Sequence, residues 1–189
     1  MLKQVLISKD NLDFATRLQN EIFSNSLDNA YQNYLDSVLN ITNNKYYLIY
    51  DNLTCIGISG LYYYEIDPTS AWLGWFGVKP EYRRCGYGSR ILKLFEKTAK
   101  KLGFKYTRLY TDQFNNEAAI SFYKTNGYLF EEYKNDNDGA SNKIKVYIAS
   151  KSLGKYPIKL WNNKNINLTE QLKKQLVKKW KKNLKEIRN

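Results

Sequence analysis

Apolar residues recur along this chain in two rhythms, one suited to strands and one to helices. "KQVLIS" (3–8) alternates as a short strand. In "NLDFATRLQNEIF" (11–23), apolar residues fall at 12, 14, 15, 18, 22 and 23. That spacing predicts an amphipathic helix with Asn11 placed to cap it. Residues 29–40, "NAYQNYLDSVLN", repeat the pattern. "KYYLIYDNLTCIGISGLYYYEID" reads as a hairpin, with strands over 45–50 and 54–66 and a turn at "DN". "SAWLGWFGV" (70–78) is a further strand. From 87 to 102, apolar residues at 91, 92, 94, 95, 99 and 102 predict a helix that stops at Gly103. "YTRLYTD" (106–112) predicts a strand and "NNEAAISFYKTNGY" a short helix ending before Gly127. "YLFEEYK" and "NKIKVYIAS" close the pattern as two strands. The order β-α-α-β-β-β-α-β-α-β-β predicts one α/β domain over residues 1–150, with an extension over 151–189. The extension begins as a linker-like stretch. It continues with Leu168, Leu172, Leu176, Trp180, Leu184 and Ile187 on one stripe, a basic amphipathic helix.

Composition narrows the chemistry. The 189 residues include no histidine and two cysteines, Cys55 and Cys85. Histidine-dependent triads, the helical zinc-protease motif, a disulfide framework and a four-ligand zinc site are thereby excluded. Catalysis must use tyrosine, carboxylates, lysine, cysteine, backbone amides or a bound cofactor, and no metal is expected. No apolar run reaches the roughly 20 residues of a membrane span, and the start lacks a signal-peptide core, so the expected location is the cytoplasm. Net charge is +12, and residues 170–189 carry eight Lys/Arg against two Glu, half of that excess.

"RRCGYGS" (83–89) opens the 87–102 helix. Helix N-termini present unpaired N–H groups and partial positive charge, and glycines let an anion approach the backbone. Arginines add forked donors for phosphate oxygens. The segment therefore predicts a phosphate or pyrophosphate site, unless Gly86 and Gly88 only shape a turn. A dinucleotide fingerprint fails because Ile91 stands where the third glycine belongs, and no Gly-Lys-Ser/Thr follows for a nucleoside-triphosphate loop.

"RRCGYG" matches the Arg/Gln-x-x-Gly-x-Gly/Ala signature of the GNAT family, the GCN5-related N-acetyltransferases. "WFGVKPEY" before it resembles that family's fourth strand and the turn that follows. Asn116, Ala119, Tyr123, Gly127 and Tyr128 fill the family's second motif, Asn-x-x-Ala-x-x-x-Tyr-x-x-x-Gly-Tyr/Phe. The resemblance covers about residues 1–150. It implies a mixed, mostly antiparallel central sheet flanked by helices. It also implies acetyl-CoA as co-substrate and transfer of the acetyl group to a primary amine by direct attack in a ternary complex.

On that resemblance, amides from Cys85, Gly86, Tyr87, Gly88 and Ser89 would hold the pyrophosphate, with Arg83 and Arg84 outside them. The pantetheine arm would pair with free backbone beside Val78, where Gly74 and Gly77 suit a bulge. The Val78 amide is the candidate oxyanion donor, and Asn116 is a candidate contact to the arm as well as a helix cap. Tyr123 occupies the general-acid position. Glu65 is the candidate base or substrate anchor, with Asp67 and Asp112 as alternatives. Tyr62, Tyr63, Tyr64, Trp72 and Trp75 are candidates for an acceptor wall, unless they serve strand packing alone. The acceptor stays open among small amines, peptide N-termini and protein lysines, as does a homodimer. The basic tail has three readings: packing on the core or a second subunit, nucleic-acid contact, or membrane-surface contact. The alternative function is a non-catalytic acyl-CoA sensor or RNA-binding module on the same scaffold.

Overall fold

A computed structural model describes residues 1–23, 29–112, 117–133 and 146–161. In chain order the elements are β1 (Leu2–Leu6), α1 (Leu12–Ile22), α2 (Ala30–Val38), β2 (Lys45–Asp51), β3 (Thr54–Tyr64), β4 (Asp67–Val78), α3 (Tyr87–Lys101), β5 (Tyr106–Asp112), α4 (Glu117–Thr125), β6 (Leu129–Tyr133) and β7 (Val146–Ser152). This is the element order that the apolar pattern predicts. The strands form one sheet in the order β1-β2-β3-β4-β5-β7-β6. Every neighbouring pair is antiparallel except β4–β5. That parallel pair is joined through α3, as a crossover connection requires.

Alternation along the strands sends side chains to two faces. Ile7, Tyr46, Leu48 and Ile58 meet Leu12, Ala15, Leu18, Ile22 and Tyr34 of α1 and α2. Leu61, Leu73, Leu109 and Ala149 meet Leu92, Phe95 and Ala99 of α3 and Tyr123 of α4. The i, i+4 spacing of Ile91, Phe95 and Ala99 in α3, with Leu92 beside them, is what lets one helix face be apolar and the other lysine-rich. α3 ends with Lys100 and Lys101 in its last turn, and Gly103 follows at φ +90°, a left-handed stop that suits glycine. Asn11 stands at the start of α1 but does not cap it. Its carboxamide accepts from the Ser8 N–H at 2.9 Å and donates to the Leu6 carbonyl at 3.2 Å, fixing the approach to the helix. α2 has a true cap: Asn29 Oδ1 accepts from the Gln32 N–H at 3.0 Å.

Several boundaries differ from those expected. β3 stops at Tyr64 and β4 begins at Asp67, so Glu65 and Ile66 form a turn rather than the end of a strand. β7 continues past Ser150 to Ser152. The chain then returns to the core: Trp161 is buried with Tyr64, Trp72, Tyr133 and Ile148, its ring 5.0 Å from that of Trp72. The Trp161 N–H donates to the Glu131 carboxylate. The fully buried Arg108 ties this end together. It donates to Asp67 Oδ2 (3.2 Å), Ser70 Oγ (2.9 Å), Ser150 Oγ (2.6 Å) and the Lys159 carbonyl (2.8 Å). The expected basic helix, Asn116 and the side chain of Asp112 lie outside the described residues. No helix among the described residues is long and apolar enough to cross a membrane.

Candidate functional site

β4 changes partners along its length. It pairs with β5 only from Ser70 to Trp72, opposite Tyr106 to Arg108. Beyond Trp72 it stays with β3 on one side and has no strand on the other, while β5 continues against β7. A wedge therefore opens between β4 and β5 in the middle of the sheet. The register of β3 against β4 slips here: Gly60 faces Gly74 and Ile58 faces Gly77, so Trp75 and Phe76 together oppose Ser59. Two residues facing one is a β-bulge. Trp75 sits at φ +40°, a backbone that a bulky residue adopts only where its surroundings impose it. The bulge lies between the two glycines whose presence suggested one.

Past the bulge the ladder resumes, and its parity decides which amides are free. Lys79 N–H donates to the Ile56 carbonyl at 2.9 Å. In an antiparallel ladder the neighbouring residue points the other way. The Val78 main chain thus faces the open side. Its carbonyl is taken by Arg83 Nε at 3.0 Å, which leaves the N–H for a ligand. The packing is close because it has to be. A Cβ on Gly57 would lie 2.3 Å from the Gly77 carbonyl oxygen, and one on Gly77 would lie 2.4 Å from Ile22 Cγ2.

The glycine loop follows at the mouth of the wedge. Arg84 at φ +63° and Gly86 at φ +76° are left-handed, between the extended Arg83 and the helix that starts at Tyr87. The first hydrogen bond to the loop from inside α3 is Arg90 N–H to the Gly86 carbonyl at 3.3 Å. The amides before it, from Gly86 to Ser89, thus belong to the unpaired start of the helix, and Cys85 directly precedes them. Arg84 and Cys85 are exposed. Arg83 serves differently from the expectation that it lies outside the amides beside a phosphate. Its guanidinium also donates to the Ile22 carbonyl at 3.1 Å, so it ties the loop to β4 and to the end of α1. Tyr87 points away from the loop: its hydroxyl donates to Asp51 Oδ2 at 2.9 Å, and Arg90 reaches the same oxygen at 3.2 Å.

Two clefts meet at the bulge. The first, of about 270 Å³, is lined by Phe23, Leu73, Trp75, Phe76, Leu109, Tyr110, Thr111, Ala119 and Tyr123. Tyr123 is buried, and burial pushes its hydroxyl well above the ordinary tyrosine range. Its ring lies 6.2 Å from that of Phe76, and Phe122 beside it stacks on Phe76 at 6.0 Å. Gly88 lies against Phe122, where even a Cβ would make only ordinary contact, at 3.4 Å. The start of α3, the bulge and α4 are thereby locked together. The second cleft, of about 370 Å³, is lined by Asn33, Asn44, Tyr46, Tyr62, Tyr64, Leu73, Gly74, Trp75 and Tyr110. Leu73, Trp75 and Tyr110 form the wall between the two.

The structure brings Tyr123, the free side of β4 and the glycine loop around one wedge. It places two of the candidate carboxylates, Glu65 and Asp67, elsewhere. Glu65 is on the exposed turn, six residues along β3 from Ser59, roughly 20 Å at the usual strand rise, and it lines neither cleft. Asp67 is held by Arg108, Ser70 and Thr69. Burial works to raise its carboxyl, but those hydrogen bonds and the Arg108 charge outweigh it and hold it below the usual range. Phe76, Phe122, Tyr110 and Asn44 escaped sequence reasoning. Only the position of Phe76 between Gly74 and Gly77 hinted at its place. Among the described residues, no group of three His, Cys, Asp or Glu side chains is placed to hold a metal.

The sequence matches the Acetyltransferase (GNAT) family over residues 12–128. Solved structures share the fold. The ribosomal-protein-S18-alanine N-acetyltransferase of Escherichia coli superposes with a TM-score of 0.62 at 15% identity, over 85% of this chain and 99% of that one. PaiA N-acetyltransferase of Thermoplasma acidophilum, in complex with coenzyme A, gives 0.58 at 22% identity over 80% and 99%. An aminoglycoside 6'-N-acetyltransferase complexed with coenzyme A gives 0.63 at 16% identity over 83% and 99%. A comparison with curated proteins gives no significant match. A family match over more than half of the chain, a glycine loop opening α3, and a fourth strand that bulges and parts from the fifth agree with one another: the chain belongs to the GNAT family of acetyltransferases.

Proposed function

We propose that the protein transfers the acetyl group of acetyl-CoA to a primary amine by direct attack, with both substrates held in the wedge between β4 and β5. One observation carries this reading: beyond Trp72 β4 has no β5 partner, and its bulged residues Trp75 and Phe76 line one cleft with Tyr123. Structural neighbours named for coenzyme A complexes support the choice of thioester. Neighbours named for alanine, spermidine and aminoglycoside acetylation support an amine acceptor.

In this reading the amides of Cys85, Gly86, Tyr87, Gly88 and Ser89 hold the pyrophosphate at the positive end of α3, and Arg84 supplies the nearby charge. Arg83 keeps the loop in place through Val78 and Ile22. The Val78 N–H takes an amide oxygen of the pantetheine arm, and Asn116, just ahead of α4, is a further partner for it. Two residues back along β4, about 7 Å by strand rise, the Phe76 N–H meets the thioester carbonyl oxygen as negative charge develops there. Phe76 suits this better than Val78, because Phe76 lines the same cleft as Tyr123 and Val78 does not. The Tyr123 hydroxyl donates its hydrogen to the departing thiolate and is restored by the proton that the acylated amine nitrogen loses. Its raised pKa keeps it protonated, and the same burial makes the thiolate a stronger acceptor. Glu65, on the outer turn, suits an anchor for the far end of an extended acceptor rather than proton transfer at the thioester. The catalytic unit extends through Trp161, and residues 162–189 form its extension.

The test is thiol release from acetyl-CoA across a panel of primary amines. Turnover with at least one amine, abolished when the amine is left out, supports the reading. Tight coenzyme A binding with no turnover on any amine would instead identify a sensor on this scaffold.

A further inference from the structure

The second cleft has a wall chemistry of its own. Tyr46, Tyr62, Tyr64, Trp75 and Tyr110 converge on about 370 Å³ of space, next to Asn44. Their rings are set at angles to one another: Tyr62 and Tyr64 meet edge to face, 5.5 Å apart and 86° between planes. The rings around this space therefore do not all lie in one plane. Burial pushes the Tyr62 and Tyr64 hydroxyls well above the ordinary range, so these rings are neutral phenols whose faces carry the negative part of the ring quadrupole. Asn44 Nδ2 donates to the Tyr46 hydroxyl at 3.1 Å, while its Oδ1 has no hydrogen-bond partner. Thr42 Oγ1 and the Tyr34 hydroxyl, whose ring packs edge-on against Tyr46 at 5.0 Å, are likewise buried without partners. Those three atoms are buried behind the wall and do not open onto the cleft, but a space lined by neutral aromatic rings is itself an environment for a cationic group. Among the described lining residues none is Lys or Arg.

We propose that this cleft is an aromatic box for an alkylammonium group, and that the acceptor reaches the bulge with a cationic nitrogen held against the faces of Tyr62, Trp75 and Tyr110. This rests on the acyl-transfer reading for the identity of the ligand as the acceptor, because Leu73, Trp75 and Tyr110 are shared with the cleft of Tyr123. It makes amines that carry a second, cationic nitrogen the substrate class, because the nitrogen that attacks the thioester must itself be neutral.

Choline and 3,3-dimethyl-1-butanol provide the test. They have the same shape and differ in a positive nitrogen against a neutral carbon, and neither carries a primary amine. Binding to the full-length protein is followed by calorimetry without any acyl donor. The box predicts choline binding about 10-fold or more tighter than the alcohol. Tyr110→Leu should narrow that preference several-fold and Tyr110→Phe should keep it. Tyr110 is more than half exposed, and thermal melts verify that both variants are folded. Equal binding of the two compounds would show a merely apolar cleft, and no binding of either would show no box; each overturns the proposal. A separate titration with coenzyme A reports on the acyl-transfer reading. Coenzyme A binding without choline preference removes the box alone, and choline preference without coenzyme A binding removes the acyl-transfer reading alone.

Discussion

Arg83 and Arg84 are neighbours with opposite duties. Arg83 spends its donors on two main-chain carbonyls, those of Val78 and Ile22, whereas Arg84 is exposed in a left-handed backbone. Arg83→Ala should therefore lower both thermal stability and coenzyme A affinity, by about 1–3 kcal/mol of lost charge-assisted hydrogen bonding. Arg84→Gly removes a charge and relieves a left-handed backbone, so affinity should fall while the melting temperature holds or rises. Paired melts and titrations check both, and an Arg83 variant that loses affinity with unchanged melting would put its side chain on the ligand instead. Tyr123→Phe should lower kcat roughly 100-fold or more with little change in coenzyme A affinity. Because burial raises the Tyr123 pKa above 10, its acid form persists through pH 10. The kcat profile should then show no alkaline fall from this group below that pH, and a fall near pH 8–9 that vanishes in Tyr123→Phe would contradict the environment described here.

The β3–β4 hairpin is the element on which the site depends. Gly57 and Gly77 let the two strands and α1 come close enough to leave Val78 facing the wedge. Gly57→Ala would drive a Cβ into the Gly77 carbonyl, with no flexible side chain to give way. Overpacking of this kind costs about 1–3 kcal/mol, a fall of roughly 3–10 °C for a chain of this size. Because the strain falls beside Val78, coenzyme A affinity should drop with it, and an unchanged affinity would detach Val78 from the ligand. Much of this element was legible beforehand. Alternation gave both strands, and Gly74 with Gly77 pointed to a bulge. The bulged residue was not legible, because Trp75 and Phe76 look like ordinary strand residues until register puts both opposite Ser59. Glu65 was misplaced for a related reason. The aromatic run "LYYYEID" continues the strand pattern through residues that the chain uses to turn, and the breaker Asp67-Pro68 stands just after Glu65 and Ile66 rather than within the turn. Asp67 could not be read as an ion-pair partner either, since Arg108 lies 41 residues away in sequence.

At the scale of the molecule, the core is closed by tyrosines and by a returning C-terminal segment. Local periodicity could not reveal that segment, because a single tryptophan at 161 does the packing. Tyr34, Tyr62, Tyr64, Tyr123 and Tyr128 all have hydroxyls raised by burial. Below pH 10 folded and unfolded chains both keep these phenols protonated. Above it the unfolded chain releases the protons and the folded one does not, so stability falls as pH rises, by up to roughly 1.4 kcal/mol per pH unit for each tyrosine. Denaturant unfolding at pH 9 and pH 11 should show a markedly lower midpoint at the higher pH; equal midpoints would mean that the rings are wet. The sheet that these rings help to hold exists, in this account, to keep β4 apart from β5 and the amides of α3 turned toward the gap. Calorimetric titration of coenzyme A into the folded protein tests that most directly. The account predicts saturable binding of one coenzyme A per chain, weakened by Arg84→Gly and by Gly57→Ala. The absence of any saturable heat from a protein shown to be folded would contradict it.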